Sequence, residues 1–146
     1  MELRRVVVTG LGALTPIGNS VQAYWNALIN GVSGAAPITY FDTTHFKTKF
    51  ACELKGFNVE DFIDRKEARK MDRYAQYAMV SADEAVQDAQ FDFENLDKDR
   101  VGVIWGSGIG GLETFQIEVL NYAAGDGTPK FNPFFIPKMI ADIAGG

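Results

Sequence analysis

The chain holds a single cysteine, Cys52, and a single histidine, His45, among its 146 residues. One cysteine excludes an internal disulfide and fits a reducing, cytoplasmic setting. With no second cysteine or histidine nearby, a zinc site has too few ligands. Long apolar runs are missing as well, since none approaches the roughly 18 residues of a membrane span. The opening MELRRVVV sets two arginines before a short apolar run, but Thr9, Gly10, Gly12 and Pro16 break it too early for a signal peptide. Positive charge is in the minority, and the formal net charge of −5 argues against nucleic acid as the main partner. No repeat or low-complexity tract occurs.

What is present is ordinary for one soluble domain: 47% hydrophobic and 23% charged residues. Arg4–Thr9 (RRVVVT) predicts a buried strand that runs into Gly10-Leu-Gly12. Asn19 or Ser20 then caps a helix over Val21–Asn30 that presents Val21, Tyr24, Trp25, Leu28 and Ile29 on one face, and Gly31 stops it. Alternation over Lys49–Leu54 places Phe50, Cys52 and Leu54 on the apolar side of a half-buried strand. Cys52 is thereby expected as a small core hydrophobe, with no helix N-terminus or basic neighbour to activate it. His45 lies in a polar loop, DTTHFKT, with no sign of a catalytic setting.

Asp64 followed by Glu67 is a capping-box pattern that opens a long helix. Met71, Ala75, Ala78, Ala82, Ala85 and Ala89 recur along it at helical spacing, a stripe of small residues suited to close packing. An acidic connector, 91–100, leads to a second buried strand, Val101–Trp105, and then to Gly106, Gly108, Gly110 and Gly111. A helix over about Leu112–Ala124 ends at Gly125, and Pro133–Ala144 begins another helical stretch. Strands alternating with helices predict an α/β fold with a mainly parallel sheet.

Three features bear on function. Gly106-x-Gly108-x-x-Gly111, after a strand and before a helix, formally matches a dinucleotide fingerprint. The acidic residue expected about twenty residues on is represented only by Asp126, in a turn between two glycines. Glycines serving tight strand-to-helix packing are the plainer alternative, and Gly10-Leu-Gly12 is equally incomplete as a fingerprint. Lys66, Arg69, Lys70 and Arg73 share one face of the predicted helix, where positive charge in the first turns opposes the macrodipole. Such a cluster on an acidic chain suits an anionic partner, or else is a solvated face offset by Glu67 and Asp72. The aromatic run Phe131-Asn-Pro-Phe134-Phe135-Ile136-Pro137 is either a core plug or the wall of an apolar pocket or subunit contact.

Taken together, RRVVVTGLGALTPIGNS (4–20), DRKEARKMDRYAQYA (64–78), RVGVIWGSGIGG (100–111) and NPFFIPKMI (132–140) resemble the N-terminal part of the β-ketoacyl-[acyl carrier protein] synthase family. The likeness is greatest to the type II elongating members of bacterial fatty-acid synthesis. It implies a thiolase-like fold, layered αβαβα, of which residues 1–146 would be a partial half-domain ending before the nucleophile elbow. It implies a homodimer, no cofactor, and a decarboxylative Claisen condensation of acyl and malonyl groups carried on acyl carrier protein. The family's nucleophilic cysteine and two histidines have no counterpart here, so neither Cys52 nor His45 inherits a role and no catalytic residue is expected. Lys66, Arg69 and Lys70 match the family's carrier-protein face. Gly108 and Ile109 match the loop beside the acyl pocket, with the isoleucine as gate, and Phe134 and Ile136 match residues lining that pocket across the dimer interface. A non-catalytic piece that binds carrier protein or a full-length subunit is the alternative, and a dinucleotide-binding α/β domain the remote one.

Overall fold

The computed structural model describes residues 3–146, which divide into two compact units. The first comprises the described residues up to Phe57 together with Ser81–Asp92, and the second comprises Asn58–Val80 with Phe93–Gly146.

In the first unit, helix α1 spans Val21–Ile29. The Ser20 hydroxyl accepts from the Ala23 N–H at 3.2 Å, satisfying one of the orphan donors of the first turn. Gly31 leaves the helix at φ +64°, so the predicted start and stop both hold. Strands β1 (Ala36–Pro37) and β2 (Phe50–Ala51) pair antiparallel, with Ala36 opposite Ala51 and Pro37 opposite Phe50. This is the one sheet among the described residues. The alternation expected over Lys49–Leu54 therefore shrinks to two residues, Phe50 is mostly exposed, and Cys52 lies beyond the ladder and is exposed, not buried.

Helix α3 (Arg73–Ala89) gives its second half to this unit, and there the stripe of small residues meets its partner. A Cβ built on Gly10 would stand 2.1 Å from the Ala85 carbonyl oxygen, and one on Gly12 only 1.8 Å from that of Ser81. The Gly10–Gly12 segment thus lies directly on the helix backbone. Its N–H groups are met by carboxylates: Leu11 donates to Asp88 at 2.9 Å and Ala13 to Glu84 at 2.8 Å. The other oxygen of Glu84 accepts from the Val21 N–H at 2.9 Å, which ties the start of α1 to the same side chain.

In the second unit, Asn58 caps a 3₁₀ turn at Val59–Asp61, and α2 (Arg65–Ala68) starts from Asp64, whose carboxylate accepts from the Lys66 N–H at 2.8 Å. The single long helix expected from Asp64 onward is broken: α2 ends, a turn follows, and α3 begins at Arg73. The Gln76 side chain donates to the Ala68 carbonyl at 2.9 Å, closing the end of α2. Ala68, Ala75, Ala78 and Val80 are the buried apolar residues. Helix α4 (Leu112–Ala124) ends at Gly125 as expected. Helix α5 (Phe135–Met139) is shorter than the stretch predicted over Pro133–Ala144. Pro137 sits in its first turn, where a missing N–H does no harm, and Ile140 leaves the helix for extended backbone (ψ 120°).

The two buried strands expected at Arg4–Thr9 and Val101–Trp105 form no ladder, and the mainly parallel sheet is not built. Val6 and Val8 are largely exposed, and Ile104 is 99% exposed. A strand of a parallel sheet is held by neighbours on its edges and helices over both faces. Among the described residues neither segment has a paired neighbour. Among the described residues, no helix is long and apolar enough to cross a membrane.

Candidate functional site

All the residues singled out for binding fall in the second unit. The basic cluster does not occupy one helix face, because the break between α2 and α3 divides it. Lys66 is on α2, Arg69 is its C-cap, Lys70 is in the turn, and Arg73 opens α3. With α2 and α3 separate, the four cations no longer share the first turns of one helix macrodipole. They are sorted instead by partners. Lys70 Nζ lies 2.6 Å from Glu67 Oε1, so Glu67 serves this ion pair instead of completing a capping box. Arg73 Nε lies 3.2 Å from Glu113 Oε2, and the neighbouring Arg65 pairs with Glu60 at 3.4 Å. Lys66 and Arg69 are exposed and, among the described residues, have no carboxylate within ion-pair distance.

The four glycines of 106–111 separate into two kinds. Gly110 takes φ +81°, and a Cβ on it would stand 2.3 Å from the Met139 carbonyl oxygen; one on Gly111 would stand 2.1 Å from that of Lys138. These two let the turn press against the end of α5, and the Gly111 N–H donates to the Met139 carbonyl at 3.3 Å. Gly106 and Gly108 face open space, with nothing within 4 Å of a built Cβ. Ser107 tightens the turn by accepting from the Gly110 N–H at 3.1 Å. Ile109 is 68% exposed.

Gly111 is the N-cap of α4 and has no side chain to offer, so the cap comes from 42 residues away. Asp72, only 6% exposed, accepts with Oδ2 from the Thr114 N–H at 3.1 Å and from the Thr114 hydroxyl at 2.5 Å. Its Oδ1 accepts from the Tyr74 N–H at 3.3 Å, so the same carboxylate also caps α3. The Tyr74 hydroxyl donates to the Ile140 carbonyl. Burial, together with the negative charges of Asp72 and Asp142, pushes the Tyr74 pKa above its usual value.

This arrangement removes the dinucleotide alternative. A pyrophosphate binds free N–H groups at a helix N-terminus, but here that position already holds a carboxylate. Asp126, the stand-in for the ribose-binding acid, instead accepts from the Thr128 N–H at 2.9 Å, which holds its carboxyl below the usual range. The Gly10–Gly12 candidate fails too, because the Leu11 N–H donates to Asp88 and the adjoining Ala13 N–H to Glu84.

The aromatic run divides too. Phe135 stacks between Phe115 (ring centroids 6.4 Å) and Phe131 (5.5 Å), and Phe131 meets Tyr122 at 5.5 Å. That ladder ties α4 to α5, although Phe115, Phe131 and Tyr122 are themselves exposed. Phe134 and Ile136 stay out of it and are exposed. His45 is an exposed turn residue and Cys52 an exposed residue just past β2, both in the first unit, and neither belongs to these features.

Reading by periodicity missed Asp72 and Glu84. Asp72 directly before a helical run was the available signal for a cap; its second helix was not, because Thr114 is remote in sequence. Glu84 and Asp88, four residues apart beside the alanine stripe, gave only the pattern of a solvated face.

Comparison with known proteins agrees with the sequence resemblance. The profile of the family "Beta-ketoacyl synthase, N-terminal domain" matches residues 3–146. The "3-oxoacyl-[acyl-carrier-protein] synthase 2" of Staphylococcus aureus (strain N315) is 51% identical over 143 residues, covering 98% of this chain and 34% of that protein. Among solved structures, "The ishigamide ketosynthase/chain length factor" superposes with a TM-score of 0.77 at 33% identity, over 97% of this chain and 35% of the other. A second, described as a "type II PKS acyl-carrier protein in complex with its ketosynthase bound to the hexaketide", gives 0.76 at 25% identity over 96% and 37%. The chain thus spans about a third of the length of the relatives it matches. Its fold is the N-terminal part of the thiolase-like α/β architecture, and the chain belongs to the β-ketoacyl synthase family.

Proposed function

We propose that this chain serves fatty-acid elongation by a β-ketoacyl-[acyl carrier protein] synthase, as a partial half-domain (1–146) that contributes the carrier dock and part of the acyl pocket. In that reaction an acyl group passes from the carrier's phosphopantetheine thiol to an enzyme cysteine by thioester exchange. The malonyl thioester then loses CO₂, its carbanion forms the new carbon–carbon bond at the acyl carbonyl, and the cysteine leaves as thiolate. Cys52 and His45 take no part, because neither matches a catalytic position of the family. Lys66, Arg69 and Lys70 bind the acidic carrier. Gly108 and Ile109 form the pocket loop, and Phe134 and Ile136 line it across the interface of a cytoplasmic homodimer.

The observation that carries this reading is the pair of exposed cations, Lys66 and Arg69, beside Lys70 on a net acidic chain, with no carboxylate partner among the described residues. A partner with acidic side chains completes that surface, and its association is screened by salt. The similar structure described as an acyl-carrier protein in complex with its ketosynthase supports the partner class.

The test is titration of acyl carrier protein against the charge-reversal variant Lys66→Glu/Arg69→Glu. Affinity is expected to fall by about tenfold or more at low salt, with a flatter salt dependence. Unchanged affinity would refute the dock. Condensation assayed with the 146-residue chain is expected to give no product, and no acyl adduct on Cys52 by intact mass.

A further inference from the structure

The basic turn and the glycine turn are far apart in sequence, yet the structure joins them through one buried side chain. Asp72 follows Lys70 by two residues, and Thr114 follows Ile109 by five. The Asp72 carboxylate takes both donors of Thr114 and the N–H of Tyr74, so it starts α3 and α4 together. Two more contacts cross the same seam: the Arg73–Glu113 ion pair and the bond from the Tyr74 hydroxyl to the Ile140 carbonyl. Gly111 lacks a Cβ where one would lie 3.1 Å from Asp72 Oδ2 and 2.1 Å from the Lys138 carbonyl oxygen, so the carboxylate, the turn and the end of α5 occupy one tight locus.

We infer that Asp72 is a positioning residue, which holds the loop bearing Ile109 in register with α2 and its C-terminal turn, which bear Lys66 and Arg69. The inference rests on the functional reading above. A carrier docked on the basic turn delivers its acyl chain to a loop whose place is set by the cap on α4, not by the exposed glycines Gly106 and Gly108. A buried carboxylate with three donors suits this role because every alternative arrangement leaves a donor or the charge unsatisfied. The ion pair Arg73–Glu113 is about half exposed on both sides and adds little by itself.

The test separates docking from insertion. Affinity is measured for a bacterial acyl carrier protein bearing phosphopantetheine, first unacylated and then loaded with octanoyl, dodecanoyl or hexadecanoyl chains. The acyl increment is the ratio of the two affinities. In Asp72→Asn and in Thr114→Val, affinity for unacylated carrier is expected to stay within about twofold, while the hexadecanoyl increment falls by at least roughly fivefold. Thr114→Ser, which retains the hydroxyl, is expected to keep the increment. Retention of the increment in both disruptive variants would overturn the inference, and so would a proportional loss of both affinities, the mark of a general folding defect. If Asp72→Asn does not fold, Thr114→Val decides alone. A wild-type protein that binds carrier but shows no increment would refute the pocket assignment itself, a result distinct from variants that leave a real increment untouched.

Discussion

Ile109 offers a large apolar side chain to its surroundings from a turn whose other residues are glycine or serine. Its backbone is constrained from both sides, by the Ser107–Gly110 bond before α4 and by the Asp72 cap within it. In the proposed pocket assignment, this fixed side chain borders the acyl channel. Ile109→Phe, in a complete synthase, is therefore expected to shorten the acyl chains accepted. Turnover of long-chain substrates should fall by about tenfold or more, with short ones little changed. A product profile across acyl lengths checks this, and an unaltered profile would count against the gate. Ile109 is proposed as a site residue through family resemblance alone, because an isoleucine among glycines carries no chemistry. Asp72 is the converse case: its caps on α3 and α4 are plain in the structure, yet in sequence it was one acid beside a basic cluster.

Elements whose limits are set locally were legible, and those set by distant partners were not. Helices α1 and α4 run almost as their caps and terminal glycines predict, since Ser20, Gly31 and Gly125 act within a turn of the chain. The segment 64–89 reads as one helix by periodicity alone. It breaks because Asp72, drawn to Thr114, becomes the cap of a new helix, and no window around residue 72 contains Thr114. The glycine turn shows the same division within six residues. Gly111 is required by the backbone of Lys138, whereas Gly106 meets nothing. Gly111→Ala is expected to destabilise by roughly 1–3 kcal/mol, since carbonyl backbone cannot yield to a Cβ without moving the turn. Gly106→Ala should leave stability within about 0.5 kcal/mol. Urea midpoints of the two variants provide the check, and equal shifts would mean that the turn tolerates a side chain at both places.

At the scale of the whole molecule, the balance between what is buried and what is exposed is unusual. Among the described residues the buried apolar ones are three alanines and one valine, while Val6, Val7, Val8, Val103 and Ile104 are all majority exposed. Each large aliphatic side chain left in water forgoes roughly 1.5–3 kcal/mol of transfer free energy, and unpaired strand-like segments also present backbone donors and acceptors to any passing chain. The relatives, about three times as long, have chain enough to cover such faces. The 146-residue chain by itself is therefore expected to bind a hydrophobic dye such as anilinonaphthalene sulfonate strongly. It should unfold in urea with a lower slope than a compact domain of its size, and associate further as its concentration rises. Dye fluorescence, the urea slope and light scattering over a concentration series measure these three effects. A dark, monomeric, steeply unfolding chain would show that Val6–Val8 and Val103–Trp105 find cover within these residues in solution, and would require a ladder between strands that the present fold lacks.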